Sequence, residues 1–245
     1  MRLALVADIH GNLAALEAVA ADIRRRGVDQ TVNLGDNLSG PLLPLETARF
    51  LMASGWIHAA GNHDRWMLTQ GPGDRGASDE YACSQLTPAE FDWLRSLPSE
   101  IRPGPRIFGC HATPADDNRY LLEVVERGGV RPATRSEIES RLGGERSRLV
   151  VCGHSHMPRA VRTRHGQLII NPGSVGLPAY DDVLPEPHVV ETGSPDARYA
   201  VIEESKDDWI VSLVSVPYDF EPMAELAKRR GRPDWERALL TGYMR

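Results

Sequence analysis

The sequence predicts an α/β fold with a mainly parallel sheet. Apolar runs at residues 3–7, 30–34 and 56–60 have the pattern of buried strands, and each of them ends in a polar loop. Helical spacing of apolar residues lies between these runs, at 13–19 and 45–54. Strands that alternate with helices in this way indicate parallel pairing.

The remaining elements are predicted in order along the chain. Residues 70–77 are rich in glycine and form a surface loop, whereas Thr87 and Pro88 begin a helix as its N-cap and first residue. Further strands are predicted at 101–110, 147–152, 167–171 and 198–217, a helix at 120–126, and an irregular segment at 181–196. Two short helical patterns form a tail at about 221–245, and we expect residues 1–245 to form one domain.

The composition argues against several classes of function. The 245 residues include 28 basic and 34 acidic side chains, and the net charge of −6 disfavours general nucleic-acid binding. Three cysteines with no close pair, Cys83, Cys110 and Cys152, argue against a disulfide framework and favour a reducing compartment. The first apolar run is too short for a signal peptide, and no run approaches the roughly 20 apolar residues of a membrane span. We therefore expect a cytoplasmic protein without membrane association.

Histidines follow the predicted strands at the points where those strands end. Five of the eight histidines lie there, with acidic or amide side chains beside several of them. The segments are Asp8-Ile9-His10, Gly35-Asp36, Gly61-Asn62-His63, His111 and Gly153-His154-Ser155-His156. Because ligands bind at the carboxyl ends of strands in open α/β sheets, we expect these segments to converge. His58, His165 and His188 lack this setting and are assigned no role.

The mixture of side chains in these segments predicts metal binding. Imidazole nitrogen combined with carboxylate oxygen suits Mn²⁺, Fe²⁺, Co²⁺, Ni²⁺ and Zn²⁺, whereas calcium needs a cage of oxygens. The candidate ligands are Asp8, His10, Asp36, Asn62, His111, His154 and His156. Seven ligands exceed the need of one ion, so we expect two ions that share a carboxylate. Such a pair clamps a phosphate and acidifies an oxygen held between the ions.

Each of these residues alone has a simpler interpretation. A single histidine at a strand end is more often a hydrogen-bonding residue than a ligand. Asp8 and Asp36 have positions compatible with helix N-caps, and Cys110 and Cys152 are predicted to be buried apolar residues. The occurrence of all five segments in one order, each at a strand end, favours the metal site.

In this order the segments resemble the calcineurin-like metallophosphoesterases, in particular their small bacterial and archaeal phosphodiesterase branch. The family pattern is Asp-x-His, Gly-Asp, Gly-Asn-His-Asp/Glu, one His and Gly-His-x-His, and residues 8–156 supply every block. The turn at 171–176, Asn-Pro-Gly-Ser-Val-Gly, is also similar to that branch. The resemblance implies a four-layer α/β sandwich in which two mixed β-sheets are flanked by helices.

The resemblance also implies a role for each site residue. The first ion is expected on Asp8, His10 and His156, and the second on Asn62, His111 and His154, with Asp36 as the bridge between them. His63 stays free of metal, where it stabilises the transition state and protonates the leaving oxygen. A hydroxide between the ions is expected to attack phosphorus in line. The implied cofactors are two divalent metal ions, with Mn²⁺ favoured over Fe²⁺, Ni²⁺, Co²⁺ and Zn²⁺.

One block departs from the protein phosphatase branch of the family. That branch continues Gly-Asp as Gly-Asp-x-x-Asp-Arg, whereas this chain reads Gly-Asp-Asn-Leu-Ser-Gly at residues 35–40. Phosphoprotein phosphatase activity is therefore disfavoured, and the sequence does not identify the group that orients His63. Two roles stay open for Asp64, which is placed either to cap a helix or to position neighbouring loops.

The expected reaction is hydrolysis of a small or nucleotide-like phosphodiester. The alternative is a phosphomonoesterase or a nucleoside polyphosphate hydrolase with the same site. A non-catalytic interaction module is disfavoured because His63 is present, whereas the resembling scaffold subunit of the retromer coat lacks that histidine. A metallo-β-lactamase relative is disfavoured because His-x-His-x-Asp-His is absent. Candidate substrate contacts are Arg65, Trp66, Arg119, Tyr120 and Tyr180, and the oligomeric state is left open.

Overall fold

The computed structural model describes residues 1–206 and 208–245. The helices of these residues are α1 (Leu13–Arg26), α2 (Pro44–Ala53), α3 (Asn62–Thr69), α4 (Ala77–Gln85), α5 (Pro88–Ser96), α6 (Arg135–Leu142), α7 (Glu221–Arg229) and α8 (Pro233–Thr241). The strands are β1 (Arg2–Val6), β2 (Gln30–Asn33), β3 (Ile57–His58), β4 (Glu100–Gly104), β5 (Ile107–Cys110), β6 (Glu123–Glu126), β7 (Gly129–Pro132), β8 (Leu149–Val151), β9 (Arg159–Arg162), β10 (Leu168–Asn171), β11 (Ala179–Asp182), β12 (His188–Glu191), β13 (Ala197–Ser205) and β14 (Asp208–Val216). The predicted α/β class is confirmed.

Two five-stranded sheets carry the architecture, and both are mixed. The first has the order β14-β13-β1-β2-β3, in which β1, β2 and β3 are parallel and β13 runs antiparallel to β1. The second has the order β4-β5-β8-β10-β9, in which β5, β8 and β10 are parallel and the edge strands are antiparallel. The parallel strands of each sheet therefore present their carboxyl ends together.

Alternate side chains of β1 face two different apolar cores, one on each side of the first sheet. Leu3 and Leu5 face the second sheet, where they join the apolar core that includes residues of β5, β8 and β10. Ala4 and Val6 belong instead to the core between the first sheet and the helices, with residues of α1, α2 and α5. On the outer face of the second sheet, Ile138 of α6 packs in a cluster with residues of β5 and β8. The layers are thus helix, sheet, sheet, helix, which confirms the four-layer sandwich.

The helical tail forms as predicted and packs beside the predicted metal segments. Met223 of α7 and Trp235 of α8 are buried in a cluster with Leu42 and Leu177, which follow β2 and β10. The Trp235 indole and the His10 ring form a T-shaped pair with their centroids 6.2 Å apart. Within the described residues, no helix has both the length and the apolar character needed to cross a bilayer.

Three local predictions are wrong or incomplete. Residues 120–126 are predicted to be helical, but β6 pairs with β7 as a hairpin whose two-residue turn has Gly128 in a left-handed conformation. Residues 181–196 are irregular at 183–187 and 192–196 as predicted, but they also include the end of β11 and all of β12, which pair as a hairpin with Pro185 and Pro187 in its turn. Residues 101–110 form two antiparallel strands instead of one.

Candidate metal centre

The predicted ligand segments lie at the carboxyl ends of parallel strands in both sheets. Asp8 and His10 follow β1, Asp36 follows β2, Asn62 begins α3 after β3, His111 follows β5, and His154 and His156 follow β8. Because the two sheets face each other, these ends open on one common region. All seven side chains are gathered around a single cavity or in the wall directly behind it.

The side chains form two clusters with ligand atoms close enough to share an ion. The first cluster is Asp8, His10 and His156, and the second cluster is Asp36, His111 and His154; within each, the ligand atoms lie within 4.8 Å of one another. Asp36 Oδ2 lies 3.2 Å from His111 Nε2 and 3.9 Å from His10 Nε2, so this carboxylate stands between the clusters.

The backbone at these residues is strained. Six residues other than glycine have a positive φ in the described chain, and five of them are predicted ligands: Asp8, His10, Asp36, His154 and His156. For residues with a Cβ this conformation costs on the order of 1–3 kcal/mol, and it persists only where the surroundings enforce it. Because the positive-φ residues coincide with the predicted ligands, we infer that these loop conformations serve function rather than stability.

Each histidine of the two clusters is oriented by a backbone carbonyl. A carbonyl only accepts hydrogen bonds, so the ring nitrogen that faces it carries a proton, and the other nitrogen offers a lone pair to the site when the imidazole is neutral, as it is on a bound cation. The donors are His10 Nδ1 to Ser39 (2.8 Å), His156 Nδ1 to Leu177 (2.7 Å), His111 Nδ1 to Leu34 (2.9 Å) and His154 Nε2 to Asn118 (2.9 Å). The lone-pair nitrogens face each other at 3.2 Å in both clusters.

The turn at residues 171–176 holds the loop of the first cluster. Ser174 Oγ and the Gly176 N–H both donate to the Asp8 carbonyl, at 2.7 and 3.0 Å. A Cβ at Gly176 would overlap the carbonyl group of Ile9, so only glycine allows this close approach. The similarity of this turn to the family pattern therefore has a physical basis in the placement of Asp8.

Asp64 performs both of the roles that the sequence left open. Its carboxylate accepts the N–H groups of Asp36 (3.0 Å) and Asn37 (3.1 Å), which fixes the second strand's loop. The same carboxylate accepts the N–H of Gly61, the N-cap residue of α3, at 2.9 Å. Asp64 thus ties the Asp36 loop to the helix that carries His63.

The group that orients His63 is Asp79, which no sequence motif identifies. Asp79 lies on α4 with its side chain buried, and its Oδ1 is 2.8 Å from His63 Nδ1; Ser39 Oγ lies 3.1 Å from the same nitrogen. A carboxylate accepts the Nδ1 proton, which leaves Nε2 available to a bound molecule. The main-chain N–H of His63 also donates to Asp36 Oδ1 at 3.0 Å. His63 is therefore fixed both to the clusters and to a separate helix.

Burial sets the pKa of several site residues. It raises the pKa of Asp8 to about 8, and it lowers the pKa of His10 to about 4 and of His154 to about 3. The protonated Asp8 carboxyl and the neutral His10 imidazole show that the first cluster disfavours uncompensated charge, and the His154 imidazole of the second cluster is neutral for the same reason. A cation would reverse the preference of the carboxyl, because it stabilises the ionised form.

Opposite charges decide the pKa of the groups between the clusters. Burial opposes ionisation of Asp36, but the nearby His111 and His63 hold its pKa well below the usual value. Burial likewise opposes protonation of His63, yet Asp36 and Asp79 raise its pKa to about 9. His63 is consequently protonated at neutral pH, the state in which an imidazole can donate a proton.

The cavity over the clusters has a volume of about 900 Å³ and includes most of the candidate substrate contacts. Trp66, Arg119, Tyr120 and Tyr180 line it. Arg65 is not among the lining residues; its guanidinium makes a bidentate pair with Asp117, at 2.6 and 2.7 Å. The volume is large for a phosphate group alone and falls within the range of small-molecule sites.

Two tyrosines and a buried histidine support the clusters from one side. The Tyr120 and Tyr180 hydroxyls are 2.5 Å apart, and the Tyr120 hydroxyl is 3.1 Å from His188 Nε2. The Tyr180 ring lies 4.6 Å from the His156 ring, and the Tyr120 ring lies 5.0 Å from that of His154. His188, which the sequence left without a role, anchors this aromatic layer.

A four-layer sandwich with histidine and carboxylate clusters at its strand ends is the architecture of a metallophosphoesterase. The profile of the calcineurin-like phosphoesterase superfamily domain matches residues 1–192. The chain therefore belongs to the calcineurin-like phosphoesterase superfamily, whose activity is the hydrolysis of phosphate esters and whose members generally use divalent metals.

Similar proteins extend the comparison over nearly the whole chain. An uncharacterized protein of Methanocaldococcus jannaschii is 26% identical over 251 residues, which cover 95% of this chain and 94% of that protein. A metallophosphoesterase from Sphaerobacter thermophilus superposes with a TM-score of 0.77 at 23% identity, covering 99% of both chains. A hypothetical protein from Pyrococcus horikoshii superposes with a TM-score of 0.74 at 18% identity, covering 100% of this chain and 99% of its own. These structures share the fold.

Proposed function

We propose that this protein is a phosphodiesterase that uses two divalent metal ions to hydrolyse a small or nucleotide-like phosphate ester. The observation that carries the proposal is the pair of adjacent clusters beside a histidine that belongs to neither of them. The clusters supply donors for ions, and His63 supplies a proton donor that remains free to act on the substrate.

The donor atoms support metal binding independently of the family pattern. Asn62 Oδ1 is buried and has no hydrogen-bond partner among the described residues. An unpaired buried oxygen costs about 1–3 kcal/mol, which a bound cation would remove. The lone-pair nitrogens of four histidines and the Asp8 and Asp36 carboxylates surround the same region.

We assign Asp8, His10 and His156 to one ion, Asn62, His111 and His154 to the other, and Asp36 to both. When bound, the two ions supply Lewis-acid activation of water and of the phosphate ester. The mixed nitrogen and oxygen donors suit Mn²⁺ and also Fe²⁺, Co²⁺, Ni²⁺ and Zn²⁺. The carbonyl partners of the histidines keep each ring in one orientation, so the site is organised before a ligand enters.

His63 acts as the general acid in this proposal. Its Nδ1 proton is held by Asp79, so the proton on Nε2 is the one that passes to the leaving oxygen. Its positive charge also stabilises the phosphate in the transition state. Asp79 does not touch the substrate in this scheme and acts by positioning His63.

The charge of the cavity supports a diester rather than a polyphosphate. Outside the clusters, the described lining includes five carboxylates and three guanidiniums, from Asp116, Glu123, Asp181, Asp182 and Asp234 and from Arg119, Arg141 and Arg232. Arg141 donates to three backbone carbonyls, and Arg232 donates to Asp234 and Ser78. A diester carries one negative charge, so it meets less repulsion from this lining than a nucleoside polyphosphate does.

We expect metal-dependent turnover of bis(p-nitrophenyl) phosphate. The protein is stripped with a chelator, reloaded with each of the five divalent ions, and assayed beside p-nitrophenyl phosphate, cyclic nucleotides and diadenosine polyphosphates, while elemental analysis counts the bound ions. About two ions per chain and a preference for the diester are expected. A preference for p-nitrophenyl phosphate or a polyphosphate would favour the alternative substrates, and no metal-dependent turnover of any compound would refute the proposal.

Asp79→Asn is expected to lower kcat by about 10- to 100-fold, with KM and the bound metal nearly unchanged, because a neutral amide orients the imidazole less well. Steady-state kinetics and elemental analysis measure these quantities. Asp74→Asn, in the exposed loop before α4, is the matched control and should leave kcat unchanged. Because Asp79 acts through His63, the substitution should have no further effect on a His63→Ala protein. A further tenfold loss in that background would contradict the positioning role.

A further inference from the structure

Part of the cavity wall is apolar, although the clusters are polar. Six lining residues form this apolar wall: Val124 and Val125 of β6, Leu184 and Pro185 in the turn between β11 and β12, Ala238 of α8, and Met244 near the end of the chain. None of the six lies on a segment that carries a predicted ligand. The wall therefore belongs to the same cavity as the clusters but is contributed by different parts of the chain.

Leu184 is the most exposed large residue of the apolar wall. Its side chain is 71% exposed, although burial of a leucine side chain is favourable. The Asp182 carboxylate accepts the N–H groups of Val183 (2.6 Å) and Leu184 (3.0 Å), so the turn has its own hydrogen bonds. An ordered turn that presents leucine at a cavity entrance indicates an apolar surface for a ligand.

The other parts of the apolar wall are also fixed by polar contacts behind them. The Met244 N–H donates to Glu191 Oε1 of β12 at 2.7 Å, which holds the end of the chain against the β11–β12 hairpin. Arg141 Nη1 donates to the Glu123 carbonyl at 2.7 Å, directly before Val124 and Val125. These contacts give the wall a defined shape, so it can contribute binding energy without first becoming ordered.

The charges of the same cavity argue against an anionic group beside this wall. Carboxylates outnumber guanidiniums in the lining outside the clusters, and two of the three guanidiniums donate to protein acceptors. A second phosphate on the substrate would thus gain little from the wall and would meet like charge. A neutral hydrocarbon substituent meets no like charge, and each methylene that it buries against the wall strengthens binding.

We infer that the apolar wall binds an extended apolar substituent of the phosphodiester, such as an alkyl or aryl ester group, and so selects amphiphilic substrates. This inference rests on the proposed phosphodiesterase function. Hydrolysis of an ester with a short substituent tests that function, whereas the effect of substituent length tests the wall. The phosphodiesterase function and the role of the apolar wall are therefore tested by different measurements.

The test is a series of alkyl p-nitrophenyl phosphates from methyl to hexyl, each used below its micelle concentration with the metal-loaded protein. We expect kcat/KM to rise by about two- to fourfold per methylene, or at least about thirtyfold over the series. Calorimetric titration with methylphosphonate and hexylphosphonate gives a readout without turnover. Hexylphosphonate should bind more tightly and with the more negative heat-capacity change.

Two neighbouring residues provide matched variants. Leu184→Ser should reduce the hexyl-to-methyl ratio of kcat/KM by about five- to tenfold, with little change for the methyl ester. Val183→Ser lies in the same turn and removes a side chain that is 70% exposed but does not line the cavity, so it should leave the ratio unchanged. The inference would be overturned if the parent protein had a hexyl-to-methyl ratio of kcat/KM near one. It would also be overturned if kcat/KM rose equally with alkyl chain length in the two variants. The phosphodiesterase proposal would stand in either case. Failure to hydrolyse any member would overturn both.

Discussion

Replacing His63 with alanine is expected to lower turnover of bis(p-nitrophenyl) phosphate by about a hundredfold or more. The variant loses the imidazole that Asp79 holds at 2.8 Å and therefore the proton donor for the leaving group. His63 is not part of either cluster, so the number of bound ions should stay at two. Single-turnover kinetics and elemental analysis on the same sample measure the two quantities.

The dependence of the His63→Ala defect on the leaving group gives a second test of the general-acid role. An ester with a good leaving group needs little protonation, so the defect should be larger for a phenyl or alkyl leaving group than for p-nitrophenolate. His165→Ala removes an exposed histidine that has no assigned role and should match the parent protein. Unchanged turnover of His63→Ala with every leaving group would refute the general-acid assignment.

Asp36→Asn is expected to reduce turnover by about a thousandfold, which corresponds to about 4 kcal/mol of transition-state stabilisation. Asp36 Oδ2 stands between the clusters, and an amide has no negative charge to share between two cations. We therefore expect fewer than two ions per chain at equilibrium with micromolar metal. Elemental analysis after dialysis and calorimetric titration measure this loss.

The fold should survive Asp36→Asn, which separates a metal defect from unfolding. An asparagine Oδ1 can still accept the His63 main-chain N–H, which donates to Asp36 Oδ1 at 3.0 Å. The thermal midpoint of the metal-free variant should thus stay close to that of the metal-free parent. Asp92→Asn on the exposed face of α5 controls for the loss of one carboxylate. Two tightly bound ions in Asp36→Asn would show that this residue does not bridge.

The sequence predicts which residues gather at the candidate site better than it predicts the conformation of the loops that carry them. Strand ends were recognisable because apolar runs stop abruptly at Asp8, Asp36 and His111, and parallel strands bring such ends together. The left-handed backbone at five ligand positions was not predicted, since only the contacts between loops enforce it. Local sequence patterns do not record contacts of that kind.

Asp79 illustrates the same limit at the level of a single residue. It is one of two acids on a short helix, α4, whose apolar residues show no clear face, and no motif distinguishes it. Its role follows only from the packing of α4 against α3, which places its carboxylate beside His63. The wrong helix at 120–126 has a related cause, because the pairing of β6 with β7 outweighs a local apolar pattern.

The family match ends at residue 192, yet Trp235, Ala238 and Met244 line the cavity. Arg232, just ahead of α8, donates to Ser78, the neighbour of Asp79 in the chain. The predicted ligands and His63 all lie before residue 192, whereas part of the surface that we propose for the rest of the substrate lies after it. Substitutions in the last helix can therefore change the shape of the cavity without replacing any predicted ligand.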